Sequence, residues 1–207
     1  MLTLFANFKG GTGKSTVVFN LAVWRLEQGK QVTVCDLDPQ RTVSDVAMIR
    51  EEDGIEPPLK VVHKLPAKGR ARGDWLVDVG TSDMKAVRAA VRACGQVVIP
   101  VTPSQADIWA TQRFLEIIRE ERAKGDMPVI KAFLNRADPH PRSRENAEAH
   151  EALQSLPMIK KVLDAKLVQR LAFRRSFSEG LAVSELEPNG KAAAELDTLA
   201  REIYGKR

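Results

Sequence analysis

The fold is decided by the stretch Lys9-Gly10-Gly11-Thr12-Gly13-Lys14-Ser15-Thr16, which closely follows an apolar segment at residues 2–6. An apolar segment, a glycine-rich turn and a helical stretch, in that order, predict a strand, a phosphate-binding loop and a helix. Glycines let backbone N–H groups turn toward an anion, and the N-terminus of a helix attracts negative charge. Lys14 can reach the β- and γ-phosphates of a nucleotide, and the Ser15 hydroxyl can ligate Mg²⁺.

This loop departs from the pattern G-x-x-x-x-G-K-[ST] at its first position, where Phe8 replaces glycine and an additional lysine, Lys9, follows. A glycine-rich turn without a ligand is the alternative. However, three glycines in four residues cost chain entropy, and Lys14 places a cation at the positive end of a helix. Both features are unfavourable for folding without a ligand and favourable when a triphosphate is bound, so we predict a nucleotide site here.

Composition is typical of one α/β domain spanning residues 1–207. The chain has 43% hydrophobic and 29% charged residues, and no apolar run approaches the ~20 residues of a membrane-spanning helix. The N-terminus lacks the basic region of a signal peptide. Cys35 and Cys94 are far apart and form no C-x-x-C pair, which predicts buried thiols in a reducing cytoplasm and argues against zinc or iron–sulfur sites.

Apolar runs alternate with helical stretches along the chain, which predicts a doubly wound, mostly parallel sheet flanked by helices, the P-loop NTPase fold. The predicted strands are Leu2–Ala6, Gln31–Asp36, Leu59–His63, Trp75–Val79, Gln96–Val101 and Met127–Leu134, with a short one near Met158–Leu163. The predicted helices are Lys14–Gln28, Thr42–Glu52, Ser82–Ala93, Gln105–Lys124, Arg142–Leu156, Leu167–Glu179 and Gly190–Ile203. Residues 63–73 are too short and too broken by Gly and Pro for a crossover helix, so we expect a basic, mobile loop whose flanking strands need not be parallel.

Three carboxylates are placed to complete a nucleotide site. Asp36 and Asp38 follow the second strand and could converge on Mg²⁺ and a water, whereas the alternative makes Asp36 a capping residue and Asp38 a turn former. Asp78 ends an apolar strand, as the acid of a Walker B segment does, and such an acid orients Mg²⁺ directly or through water. Asp83 opens the next helix and more simply interacts with its dipole.

These motifs, together with Val98-Ile99-Pro100-Val101-Thr102-Pro103-Ser104, resemble the ParA/MinD ATPases with a deviant Walker A box. The resemblance covers nearly the whole chain and is strongest to the short ParF-like partition ATPases, which have no helix-turn-helix domain before the loop. Gln169-Arg170, ahead of Gly180, also resembles that subgroup. Gly80-Thr81 and the short 63–73 loop depart from the pattern of the relatives.

The resemblance implies a role for each matching position. Lys9 would cross a dimer interface to the partner's phosphates, which is what an arginine finger does elsewhere. ATP would be held by Gly10, Gly11, Thr12, Gly13, Lys14, Ser15 and Thr16, with Asn135 and Arg136 near the adenine. Mg²⁺ would be held by Ser15 and, through waters, by Asp36 and Asp78, while Asp38 would place the attacking water.

The net charge of +5 makes a polyanionic partner plausible, and the 158–175 region is strongly basic. We predict non-specific contacts with DNA phosphates through Lys160, Lys161, Lys166, Arg170, Arg174 and Arg175. A solvated basic face is the alternative.

The leading hypothesis is a ParA-type ATPase that forms an ATP-dependent homodimer on nucleoid DNA in the cytoplasm. A ParB-like or other adaptor bound to plasmid, chromosome or other cargo would stimulate hydrolysis. The alternative is a MinD-like positioning ATPase on a membrane surface. It would need an amphipathic C-terminal anchor, whereas Leu196, Leu199 and Ile203 indicate a helix packed on the core, so we expect no membrane contact.

Overall fold

Eight parallel strands form the centre of the protein in the computed structural model, which describes residues 1–205. The strands are β1 (Leu2–Phe5), β2 (Val32–Asp36), β3 (Val61–Val62), β4 (Asp74–Asp78), β5 (Gln96–Val101), β6 (Val129–Ala137), β7 (Lys161–Val162) and β8 (Leu167–Val168). Their order across the sheet is β3-β2-β4-β1-β5-β6-β7, and β8 pairs with β6. The predicted doubly wound fold is confirmed.

Helices cover both faces of this sheet. They are α1 (Lys14–Glu27), α2 (Thr42–Glu52), α3 (Met84–Ala93), α4 (Gln105–Glu121), α5 (Arg144–Gln154), α6 (Leu171–Ser178), α7 (Val183–Leu186) and α8 (Lys191–Tyr204). Alternate residues of a strand point to opposite faces, so Phe5 packs in the core cluster under α1 and α8, while Leu4 packs in the cluster under α3, α4 and α5. This two-sided burial explains why the strands read as continuous apolar runs.

The carboxyl ends of three adjacent strands meet beside the phosphate loop. In the register of the sheet, Phe5 lies opposite Asp78, and Asp78 lies opposite Asp36. Since β1 leads into the loop, both carboxylates are brought to the edge at which open α/β sheets bind ligands.

The region after β7 differs from the prediction. The helix expected over Leu167–Glu179 begins only at Leu171, because Leu167 and Val168 form β8 against an irregular extension of β6. Both are buried apolar residues, and a short apolar run in the sequence does not distinguish a buried strand from the start of a buried helix. The short helix α7 was not predicted, β6 runs on to Ala137 and β3 has only two residues.

Residues 63–73, here called the crossover loop, join β3 to β4 without a helix, as predicted. Both strands run parallel to β2 and flank it on its two sides, so the loop crosses the sheet over β2. Leu65 packs against the core cluster on that face and takes part of the place of the usual helix.

Several further expectations are confirmed. Cys35 and Cys94 are buried and free, and Asp83 caps α3 by accepting hydrogen bonds from the N–H groups of Lys85 and Ala86. Leu196, Leu199 and Ile203 of α8 are buried in the core and cannot serve as a membrane anchor while folded. Across residues 1–205, every helix falls short of the combined length and hydropathy that spanning a membrane requires.

Candidate nucleotide-binding site

The phosphate loop surrounds a cavity of about 330 Å³. Gly13 adopts a left-handed backbone with φ of 81° and immediately precedes α1, so the positive end of that helix faces the cavity. A Cβ at Gly13 would lie 2.7 Å from Nδ2 of Asn135. Glycine is therefore required for both conformation and space. The cavity is lined by Gly10, Gly11, Gly13, Lys14, Ser15, Thr16, Asp38, Gln40, Thr42, Gly80, Thr81, Ser82 and Arg136.

Lys14 is the buried cation of this cavity, with 7% of its surface exposed. Burial lowers the pKa of its ammonium, while the nearby Asp78 and Asp38 oppose that shift. Among residues 1–205, its Nζ reaches a hydrogen-bond acceptor only at the carbonyl oxygen of Lys9, at 3.5 Å. The negative charge of a bound phosphate would compensate the positive charge of this buried ammonium.

Asp78 lies at the floor of the site and is fully buried. Neither of its carboxylate oxygens accepts a hydrogen bond of normal geometry from the described residues. Burial raises the pKa of Asp78 to about 7; the adjacent Ser15 hydroxyl and Lys14 lower it, whereas Asp36 and Asp38 raise it further. An unpartnered buried carboxylate next to a hydroxyl is a suitable oxygen donor set for a divalent cation, so these residues fit Mg²⁺.

Asp36 and Asp38 take the structural roles that the sequence offered as the alternative, a cap and a turn. One oxygen of Asp36 accepts from the N–H of Asp38 at 3.2 Å, and the other accepts from the N–H and Oγ of Ser44 at 3.0 and 2.6 Å. Asp36 thus ties the loop to the first turn of α2, as a capping residue does. Asp38 accepts from the N–H of Gln40 in a turn, yet its carboxylate also lines the phosphate cavity.

The position of Asp38 explains why glycine occurs at position 80, one of the departures noted in the sequence. A Cβ at this position would lie 2.8 Å from the carboxylate of Asp38. The glycine therefore leaves room for Asp38 to lie against the strand end that carries Asp78.

Lys9 faces different surroundings from the rest of the loop. Its Nζ lies 2.6 Å from Oδ2 of Asp107 in α4, and its side chain is 45% exposed. Lys9 does not line the phosphate cavity of its own chain. Asp107 is buried, accepts a second hydrogen bond from Ser104 Oγ at 2.5 Å, and has one oxygen without a partner among residues 1–205.

Asn135 and Arg136 adjoin a second cavity, of about 570 Å³, beside the phosphate loop. Asn135 is buried and donates from Nδ2 to the carbonyl oxygen of Thr12 at 2.6 Å, so it holds the loop in position. Arg136 lines both cavities, whereas Asn135 lines the second. The outer walls of the second cavity include Phe173, Arg174 and Phe177 of α6.

Sequence reasoning did not identify Asp107, Gly80, Phe173 or Phe177 as site residues. Asp107 follows Ser104, which caps α4, and an acid in the first turn of a helix usually needs no further explanation. Phe173 and Phe177 are four residues apart, which predicts a shared helix face but not what that face meets.

The six basic residues of the 158–175 region are unequally available. Lys161 pairs with Glu202 at 3.3 Å, Arg170 with Glu195 at 2.5 Å and Arg175 with Glu187 at 3.9 Å. Lys160, Lys166 and Arg174 form no ion pair within residues 1–205. Acidic residues of α8 and of the turn before it therefore neutralise half of the predicted patch.

Comparison with known proteins assigns the family. The sequence model of the family described as "CobQ/CobB/MinD/ParA nucleotide binding domain" matches residues 3–183. The chain belongs to this family. The resemblance to ParA/MinD proteins that the motifs predicted is thereby confirmed.

Members of the ParA/MinD family are similar over most of the chain. The maintenance of carboxysome distribution protein A of Halothiobacillus neapolitanus is 30% identical over 96% of this chain and 94% of its own. Protein ParA of Rhizobium radiobacter is 26% identical over 86% of this chain and 83% of its own. The structure of an McdA–ATP complex from Cyanothece superposes with a TM-score of 0.77 at 17% identity, covering 100% of this chain and 96% of that one.

Proposed function

We propose that this protein is a Mg²⁺-dependent ATP hydrolase that dimerises on ATP, binds DNA with little sequence preference and positions or partitions a cargo. Membership of the ParA/MinD family and the phosphate cavity around Lys14 support ATP binding. The name of the relative from Halothiobacillus neapolitanus supports a role in distributing a cargo. An adaptor of ParB type, bound to that cargo, would stimulate hydrolysis.

The observation that carries the dimer is the position of Lys9. Its ammonium lies outside its own phosphate cavity and is partly exposed, although the loop that it begins is built around phosphates. A cation in that position can complete the site of a second subunit. Nucleotide state would then control assembly, because the dimer interface is completed only when a triphosphate is present.

Each remaining residue of the site has a task in phosphoryl transfer. Lys14 and the loop N–H groups offset charge on the phosphate oxygens, and Asp38 holds a water in line with the γ-phosphate. Ser15 would hold Mg²⁺ directly, and Asp36 and Asp78 would hold it through waters. When bound, this ion would neutralise negative charge on the phosphate oxygens.

Light scattering after gel filtration, with ATP, ADP or no nucleotide, tests this function. We expect a dimer with ATP and Mg²⁺ only. Lys9→Ala should remain monomeric in ATP while still binding the nucleotide, since Lys9 is outside its own cavity. Dimerisation of Lys9→Ala at the wild-type ATP concentration would contradict the proposal.

A further inference from the structure

The crossover loop carries the least compensated charge in the chain. With Lys60, just before β3, it supplies five cations, Lys60, Lys64, Lys68, Arg70 and Arg72, and no Asp or Glu occurs between Pro57 and Gly73. The whole chain has 32 Lys and Arg against 27 Asp and Glu. Five cations equal that excess, so all other residues together are neutral.

These cations are also free in the folded chain. All five residues are exposed, and none forms an ion pair within the part of the chain that the structure describes. Asp74, the first acid after the loop, is already bound by Arg25 and by the N-terminal ammonium. By contrast, half of the 158–175 cations are paired with acids. The two basic regions lie at opposite edges of the sheet: one is beside the edge strand β3 and the other is beside the edge strand β7.

The loop spreads its charges along the length of the sheet. It begins beside the carboxyl ends of the strands, where Nδ1 of His63 lies 3.3 Å from the carbonyl oxygen of Asp36. It ends beside the amino ends of the strands, where the N–H of Asp74 donates to the carbonyl oxygen of Gln31. The five residues of β2 between these points span about 16 Å, a length over which duplex DNA carries about nine phosphate charges.

We propose that the crossover loop, with Lys60, is the main phosphate-binding surface for duplex DNA. This inference rests on the DNA binding proposed above and assigns it to a different part of the molecule. The loop has no helix to enter a groove, so its contacts are with the backbone and read no sequence. A membrane surface suits it less well, because Leu65 is the one bulky apolar residue in the sequence from 63 to 73, and it packs against the core cluster.

Two variants with the same change in charge test this assignment. The loop variant combines Lys64→Gln, Lys68→Gln, Arg70→Gln and Arg72→Gln, and the control combines Lys160→Gln, Lys161→Gln, Lys166→Gln and Arg175→Gln. Binding to a duplex of random sequence is measured with ATP and Mg²⁺ over a range of salt concentrations. All the changed side chains are exposed except that of Lys166, which is half-buried, and circular dichroism with ATP titration verifies folding.

We expect the loop variant to bind DNA at least about tenfold more weakly, and its plot of log affinity against log salt to be shallower by about 2 to 4. The control should lose about one unit of slope or less, because two of its four cations are already paired. Equal losses in the two variants, or a larger loss in the control, would overturn the assignment.

The remaining outcomes separate this inference from the proposed function. If the wild-type protein binds no duplex in any nucleotide state, the proposed DNA binding fails and the assignment fails with it. If the wild type binds and the loop variant binds equally well, only the assignment fails. Loop-dependent flotation with vesicles containing anionic phospholipid, combined with unchanged DNA binding, would identify a membrane surface instead and also overturn it.

Discussion

The two lysines of the phosphate loop lie in different surroundings. Lys14 is 7% exposed, lines the phosphate cavity and has a pKa lowered by burial. The Lys9 side chain is 45% exposed, lies outside that cavity and is paired with the buried Asp107. Residues five positions apart in one loop are thus committed to different partners. Under the proposed function, Lys14 serves the nucleotide of its own subunit and Lys9 serves that of a neighbour.

Replacing each lysine is the strongest way to break this comparison. Lys14→Ala should weaken ATP binding by about 100-fold or more, because a buried cation facing phosphate oxygens is lost. Lys9→Ala should change the ATP affinity of the monomer by less than about threefold. Calorimetric titration of both variants below the dimerisation concentration measures the difference, and similar losses would mean that both lysines serve the same phosphates.

Asp38 lies on the Lys14 side of the loop and should affect chemistry rather than binding. Asp38→Ala should slow phosphate release by about 100-fold while ATP affinity stays within a few-fold, since this carboxylate would orient a water. Asp45→Ala, an exposed acid in the first turn of α2, is the matched control and should hydrolyse ATP normally. A normal rate for Asp38→Ala would remove Asp38 from the mechanism.

The hydrogen bond from Asn135 to the carbonyl oxygen of Thr12, here called the Asn135 clamp, tests how far the backbone of the phosphate loop must be held in position. Asn135→Ala removes the donor to Thr12 and should weaken ATP binding by about tenfold, with a loss of about 1–2 kcal/mol in the free energy of unfolding. Asn146→Ala is a suitable control, because Asn146 likewise bonds a loop backbone, at Asp138, but outside the two cavities. Equal ATP affinity for the two variants would show that the clamp does not shape the site.

The smallest effect is expected where Lys9 is held. Asp107→Asn should tighten the ATP-dependent dimer by about threefold, because the lysine leaves a neutral amide more readily than a carboxylate. Analytical ultracentrifugation measures the dimer dissociation constant. Lys9→Ala combined with Asp107→Asn should stay monomeric in ATP, as Lys9→Ala alone does, and an ATP-dependent dimer of the double variant would contradict the proposed link.

Local patterns predicted the centre of the site, and contacts between distant segments accounted for what was missed. Residues 9–16 are recognised by their spacing as a phosphate-loop pattern, and Asp78 is identified by the apolar strand before it. No local pattern connects Lys9 with Asp107, which lies 98 residues away. Likewise, Arg170 reads as a free cation until α8 brings Glu195 to it.

The same limit applies to the fold. The long strands are continuous apolar runs and α4 has a clear helical period, so these elements were predicted with small errors at their ends. β8 has two residues, and only the irregular extension of β6 gives them a partner. A strand of that length has no period from which it could be predicted.

Mixing two inactive variants tests most directly whether Lys9 acts on the neighbouring subunit. Lys9→Ala and Asp38→Ala chains are combined in equal amounts before ATP and Mg²⁺ are added, and phosphate release is followed. In each mixed dimer, one site combines an intact Asp38 with the lysine of the other chain. The mixture should therefore recover up to about a quarter of the wild-type rate, while each variant alone stays near background. If the mixture is as inactive as its components, Lys9 does not act across a dimer interface.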